Sequence, residues 1–443
     1  MSEAIDFGRM SIPRLFSRLF LPTVLGMVFS SAFIIIDGMF VGRFIGSEAL
    51  AAVNIVAPLW MLGTGCGLMF GVGASVVASI HVSQGRAPKA RECMTEAIVV
   101  SSVMLAVFAA LCWLWARPVV VLLGSSEQLA QSAVDYLSWF IPFTPTNALM
   151  ISGAFFLRLD GAPRYSMICN VVASVANLVL DYLFIVVMGG GLRGAAIASS
   201  LGTVIGAAMI LVYLFNRRHA LHFCRFRIGF DCLRNVCRVA TLGFSAFLCE
   251  TAVAVMMFVG NIVFMRRLHE AGVAAFSVTC YFFPIIFMFN NAVSQSVQPI
   301  ISYSYGSGNA ARMKAAFRIG LVAAGCFGAA FTLLTVFGNE LIASLFLLRT
   351  DPAFALSAGG LPLFAVDFIP FAVNIMSVGY FQSTEQPLQA TIVTLLRGYI
   401  LVVILFFALP VLAGDAGIWL AVPIAEVLTT LYIVGVYLVR RRR

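Results

Sequence analysis

The sequence predicts an all-α polytopic membrane protein, with twelve transmembrane helices in two pseudo-symmetric six-helix bundles. Three observations carry this. Hydrophobic residues make up 61% of the 443 residues, charged ones only 11%, and mean hydropathy is +1.00, whereas a soluble domain is about half apolar and a quarter charged. Apolar stretches of at least the roughly 20 residues that cross a bilayer recur along the whole chain. The chain also repeats itself: at an offset of 223, Ala51 and Ala52 fall on Ala274 and Ala275, Gly85 on Gly308, Gly194 on Gly417, Ala198 on Ala421, and Arg217-Arg218 on Arg440-Arg441. A membrane protein of two equivalent lobes usually binds cargo between them and rocks one lobe against the other.

The expected spans lie near 15–43, 50–80, 95–116, 129–157, 164–188, 194–215, 237–265, 272–303, 317–346, 354–382, 387–412 and 416–439. Several are longer than the minimum, which suits tilted or bent helices with internal prolines such as Pro22, Pro58 and Pro370. The first is longer than the apolar part of a signal peptide and has no small-residue cleavage site, so it is read as a retained span. Residues 1–215 form the N-terminal lobe, 216–236 a basic cytoplasmic linker, and 237–443 the C-terminal lobe. With six spans per lobe, both repeats enter the membrane from the same side and are parallel.

The net charge of +9 is a matter of topology, not a nucleic-acid footprint. Of the 28 Lys and Arg residues, only Arg43, Arg117, Arg193, Arg266, Arg267 and Arg349 fall on outer segments. The rest, among them Arg397 and the closing Arg440–Arg443, are assigned to inner ones. This bias places both termini in the cytoplasm and the chain in the cytoplasmic (inner) membrane. The ten cysteines are scattered, with no CxxC pair, and read as small hydrophobes. The Gly-rich run Gly63–Gly73 lies inside an apolar span, where four-residue spacings favour close helix packing and not nucleotide binding. Tyr281, Phe282 and Phe283 read as interfacial anchors.

The strongest chemical signal is acids within spans: Asp37, Asp181, Glu250, Asp367 and Glu426. A charge at the bilayer centre costs roughly 2.5–3.5 kcal/mol on insertion scales, so such residues are seldom idle. Asp37 and Asp181 share a depth in spans one and five. Asn177 lies one turn before Asp181, and Ser174 and Asn170 extend a polar stripe inward. Two carboxylates and an amide carbonyl are hard oxygen ligands, suited to Na⁺ or to a shared proton; Ser199 or Ser200 could add a hydroxyl. The repeat places Gly260 and Ile404 opposite Asp37 and Asp181, so the second lobe lacks this pair. It carries Glu250 and Asp367 instead, with no Lys or Arg in the central part of either span. Polar stripes at Asn291, Gln295 and Gln298, and at Asp367 and Asn374, mark packed interfaces or a wet cavity.

Several strings resemble the multidrug and toxic compound extrusion (MATE) transporters of prokaryotic type. They are Asp37-Gly-Met-Phe-Val-Gly-Arg-Phe-Ile-Gly, Gln84-Gly85-Arg86 with its counterpart Ser307-Gly308-Asn309, Phe156-Leu-Arg158-Leu-Asp160-Gly161, and Asn177-Leu-Val-Leu-Asp181. The resemblance implies a V of two bundles whose cleft opens alternately to each side, without enzymatic activity or cofactor. It implies export of bulky, mostly cationic amphipathic compounds against inward H⁺ or Na⁺ by a monomer, with Asp37, Asn177 and Asp181 as the cation site. In another branch of the family, positions like Glu250 and Asp367 couple the cation; here they could instead hold the substrate. A lipid-linked oligosaccharide flippase is the alternative. It needs a cationic cavity, whereas the basic residues here are expected in loops or at helix ends.

Overall fold

A computed structural model describes residues 5–125 and 127–442, and nothing is said of the side chains of residues 32–35, 47, 50, 128 and 440–442. The closing Arg440–Arg443 cluster therefore lies outside the described side chains. The structure is 88% helical, with no strand among the described residues. Fifteen helices follow in order: α1 (Ile12–Phe40), α2 (Ser47–Ser83), α3 (Ala87–Leu114), α4 (Ala116–Leu122), α5 (Glu127–Phe140), α6 (Thr144–Leu159), α7 (Pro163–Asp181), α8 (Gly191–Phe215), α9 (Phe230–Gly306), α10 (Ala310–Phe337), α11 (Asn339–Ser344), α12 (Pro352–Ala365), α13 (Phe368–Ser383), α14 (Pro387–Leu395) and α15 (Leu401–Arg442). Among the described residues, nine helical segments are long and apolar enough to cross a membrane, ten with the bent pair α12–α13. Two of them, Phe230–Gly306 and Pro387–Val439, far exceed one crossing. Each is interrupted by non-helical backbone, at His269 and at Gly414.

The chain divides into two compact units. Unit 1 is Met1–Phe247 with Ser302–Asn309, and unit 2 is Leu248–Ile301 with Ala310–Arg443. In unit 1, α2 packs on α3 and α6, and α7 on α1 and α8. The glycine run explains part of this. A Cβ on Gly63, Gly67 or Gly71 would meet Thr144, Ala148 or Ser152 of α6 at 2.6–2.9 Å. One face of α2 is thus kept bare at every fourth residue so that α6 can lie against it.

Residues 219–224 are fastened to unit 1. Arg91 Nε donates to the Ala220 carbonyl at 2.8 Å, and the backbone N–H of Cys224 donates to Thr95 Oγ1 at 3.3 Å. Buried Asp160, between α6 and α7, accepts from Tyr213 Oη at 2.6 Å and from the Leu221 N–H at 2.7 Å.

In unit 2, α13 packs on α10, α14 and α15. The core is aromatic: Phe264 stacks on Phe276 at 4.5 Å and meets Trp419 edge-on, while Phe283 packs edge-on to Phe364 and Phe371. Phe283, expected as an interfacial anchor, is thus 3% exposed and belongs to the core, whereas Tyr281 is exposed and stacks on Phe346. Span ten is expected as one span, tilted or bent around Pro370. It is bent by 47° between α12 and α13, and Asp367 sits at the break. Pro370 supplies a reason, since its missing N–H cannot bond the carbonyl of Val366.

Candidate ion-coupling sites

In unit 1 the site is built by α1, α5, α7 and α8. Along α7, Ile168, Val172, Val175 and Val179 are 38–59% exposed. Asn170, Ser174 and Asn177 are only half-exposed, and Asp181 is 0% exposed. The apolar stripe therefore faces outward and the polar stripe faces protein, the sorting that a lipid solvent imposes. Asp181 and Asp37 lie within electrostatic reach of each other and of the buried Tyr136 ring on α5. Both Asp181 oxygens and Asp37 Oδ1 are buried with no hydrogen-bond partner among the described residues. Such oxygens are costly unless a proton, a cation or water satisfies them. One turn earlier, Asn177 Nδ2 donates to Ser199 Oγ at 3.4 Å, which brings the fourth expected residue to the stripe. Ser200 turns away and donates to the Trp139 carbonyl.

Two features of this site were not read from the sequence. Tyr136 carries no intramembrane charge to flag it. The turns that follow both acids, Val41–Ile45 after Asp37 and Tyr182–Val187 after Asp181, are π-helical. Such one-residue insertions appear often at functional sites.

Unit 2 is organised differently. The position opposite Asp37 is filled by packing, since a Cβ on Gly260 would lie 2.5 Å from the Phe276 ring. The position opposite Asp181, Ile404, is exposed. The buried charges gather around Arg397, which lies in a third π turn, Leu396–Ile400. Arg397 Nη2 meets Glu426 Oε1 at 2.7 Å, and Nε donates to Oε2 at 3.2 Å. The guanidinium lies 4.7 Å over the Phe371 ring. This corrects two expectations. Arg397 is not an inner-face charge, and not all basic residues stay in loops or at helix ends.

Asn374, expected in a cavity stripe, is fully buried. Its Nδ2 donates to the Glu426 carbonyl at 2.9 Å and to the Glu426 carboxylate, and its Oδ1 accepts from Thr430 at 3.0 Å. Asp367 is 0% exposed, both its oxygens lack a hydrogen-bond partner among the described residues, and Glu426 and Arg397 are its charged neighbours. Glu250, half-buried on α9, stands apart: among these groups it reaches only Cys249. Gln298 Nε2 donates to Gln382 Oε1 at 2.6 Å inside the bundle, while Asn291 and Gln295 are partly exposed. A small recess lined by Met256, Phe283, Phe287, Phe371, Arg397 and Glu426 lies beside the ion pair.

Acids buried without partners in apolar helical bundles mark ion and substrate pathways, which puts the chain among the polytopic membrane transporters. It belongs to the MatE family, whose pattern matches residues 22–183 and again residues 246–408. Over 434 residues it is 25% identical to an FAD transporter of Shewanella oneidensis, covering 95% of this chain and 94% of that protein. It is 24% identical over 422 residues to the multidrug export protein MepA of Staphylococcus haemolyticus, covering 95% and 92% of the two chains. A crystal structure of MATE in complex with MaD3S superposes with a TM-score of 0.90 at 21% identity, covering all of this chain and 98% of that one. A MOP superfamily transporter from Pyrococcus furiosus superposes at 0.88 and 20% identity, covering 100% and 98%. Members of the family are transporters coupled to gradients of H⁺ or Na⁺.

Proposed function

We propose that the chain is a secondary antiporter of the cytoplasmic membrane, exporting amphipathic, mostly cationic compounds in exchange for inward H⁺ or Na⁺. One observation carries this reading. Asp37 and Asp181 lie against each other with three buried carboxylate oxygens left without partners. Two anions so close in a dry bundle repel unless one positive charge joins them. A proton or a hard cation entering from outside fits that need, and Asn177, Ser199 and Tyr136 border the place where it would sit.

Neutralising the pair removes a cost of burial, so the loaded state tolerates closure of the bundle around it. A cationic compound that competes for the same negative field is then released. For a neutral compound, one inward charge supplies about 2.3 kcal/mol per 100 mV, roughly a 50-fold accumulation ratio; exchange against a monovalent cationic compound is electroneutral and is driven by the ion's concentration gradient. Glu250, half-buried and without a basic partner in its own span, is assigned to attract the charge of the substrate. The similarity to MepA, a multidrug export protein, supports drug-like cargo.

The similarity to an FAD transporter favours a second reading, in which the cargo is an anionic flavin nucleotide. Reconstituted vesicles given a Na⁺ gradient and a pH gradient separately test the proposal. A cationic dye should move against one of these gradients, whereas movement of FAD alone would favour the second reading.

A further inference from the structure

Unit 2 holds three buried charges where two acids alone would resemble the unit 1 pair. Arg397 meets Glu426 through two nitrogens, at 2.7 and 3.2 Å, and Asn374 Nδ2 also donates to the carboxylate, while the Thr430 hydroxyl donates to the Glu426 backbone carbonyl. Such a bidentate contact fixes both partners in one geometry. Asp367, on the same cluster, has no hydrogen-bond donor at either oxygen among the described residues. Cys249 from α9, Arg397 from the π turn and Glu426 from α15 are the titratable and charged groups around it and the ion pair, with Glu250 reaching only Cys249. Guanidinium and Glu426 carboxylate offset each other, so Asp367 is the carboxyl of the cluster left without a fixed partner among the described residues. The recess beside the pair is lined by Arg397 and Glu426 and not by Asp367. Without Arg397, Glu426 would be an acid within reach of whatever enters that recess.

We propose that Arg397 is a positioning residue for ion coupling in unit 2: it holds Glu426 in a fixed bidentate ion pair and leaves Asp367 as the carboxyl of the cluster that exchanges a proton. This rests on the antiport reading above and assigns one exchangeable charge, not two, to this cluster. The pairing also has a definite failure mode. With the Glu426 charge removed, the nearest anion for the buried guanidinium is Asp367, which would then be locked in its place.

The test uses the full-length protein in vesicles, reading dye efflux and the proton movement that accompanies it between pH 6 and 8. Glu426→Gln should lower efflux about a hundredfold, the scale expected when one proton-transferring group is lost, and flatten its pH profile. The double variant Arg397→Gln/Glu426→Gln frees Asp367 again and should recover most of the transport and the pH profile of the parent. Glu426→Gln with the parent's profile would overturn the proposal. So would a folded double variant that stays inactive, and this second variant decides the matter if Glu426→Gln alone does not fold. A purely structural pair would change thermal stability and leave the pH profile unmoved. A parent chain without ion-driven efflux would refute the antiport reading itself, which separates the two failures.

Discussion

Arg397 binds Glu426 through Nη2 and Nε with both partners no more than 5% exposed. Breaking a buried pair from one side leaves a charge without compensation, at a cost of roughly 3–5 kcal/mol. Arg397→Leu should therefore lower the melting temperature of the detergent-solubilised protein strongly, because it leaves Glu426 and Asp367 as neighbouring acids. Glu426→Gln should lower it less, since Asp367 remains as a partner for the guanidinium. Equal losses would mean that Asp367 lies outside the reach of Arg397.

Asp160 gives a pH-dependent prediction outside the membrane spans. Burial raises its carboxyl above the usual value, although the bonds from Tyr213 and Leu221 partly oppose the shift. A group whose value is raised on folding binds more protons in the folded state. Its contribution to stability is thus full below about pH 3.8 and is lost as pH rises through the raised value. The parent should accordingly gain stability relative to Asp160→Asn as pH falls from neutral toward 4, measured by thermal unfolding. Asp160→Ala, which strands the Leu221 N–H and the Tyr213 hydroxyl, should cost about 1–3 kcal/mol at pH 7.

Glu250 separates binding from coupling. Glu250→Gln should weaken export of a cationic dye several-fold more than export of a neutral compound, because it removes an attraction and not the driving ion. Efflux of the two compounds measured side by side checks this. Equal loss of both would place Glu250 in the coupling machinery.

The class of the fold was legible in composition alone, and the lipid-facing side of α7 in its valine spacing. The grouping of Asp37 and Asp181 and the polar stripe with Asn177 were legible because these are polar residues where lipid permits none, while the choice between Ser199 and Ser200 stayed open until α8 was placed. Tyr136 was not legible, since a tyrosine in a span is usually an anchor or core. The cluster around Arg397 was missed for another reason. A lone cation in the stretch Thr394-Leu-Leu-Arg397-Gly and a lone acid in the next span form a pair only once their helices are packed. Counting Arg397 toward the positive-inside bias hid that pair. The kink at Asp367 had a visible cause in Pro370, but a proline in a long span marks a bend without giving its size.

The topology follows from the remaining positive bias. A reporter fused after Arg218 should read cytoplasmic and one inserted near Arg267 external. The break in the helical run at His269, two residues beyond Arg267, suits the second placement. The reverse pair of readings would overturn the orientation.

The facing acids of unit 1 carry the central claim, and ion-driven dye efflux by Asp37→Asn and Asp181→Asn in reconstituted vesicles tests it most directly. Each change removes a buried charge while keeping the shape of the side chain, so both proteins should insert and purify like the parent. Efflux of cationic and neutral compounds alike should fall about a hundredfold or more in each, as expected for loss of an essential ion-exchanging group. Parent-like efflux by both variants would contradict the assignment of the coupling ion to Asp37 and Asp181.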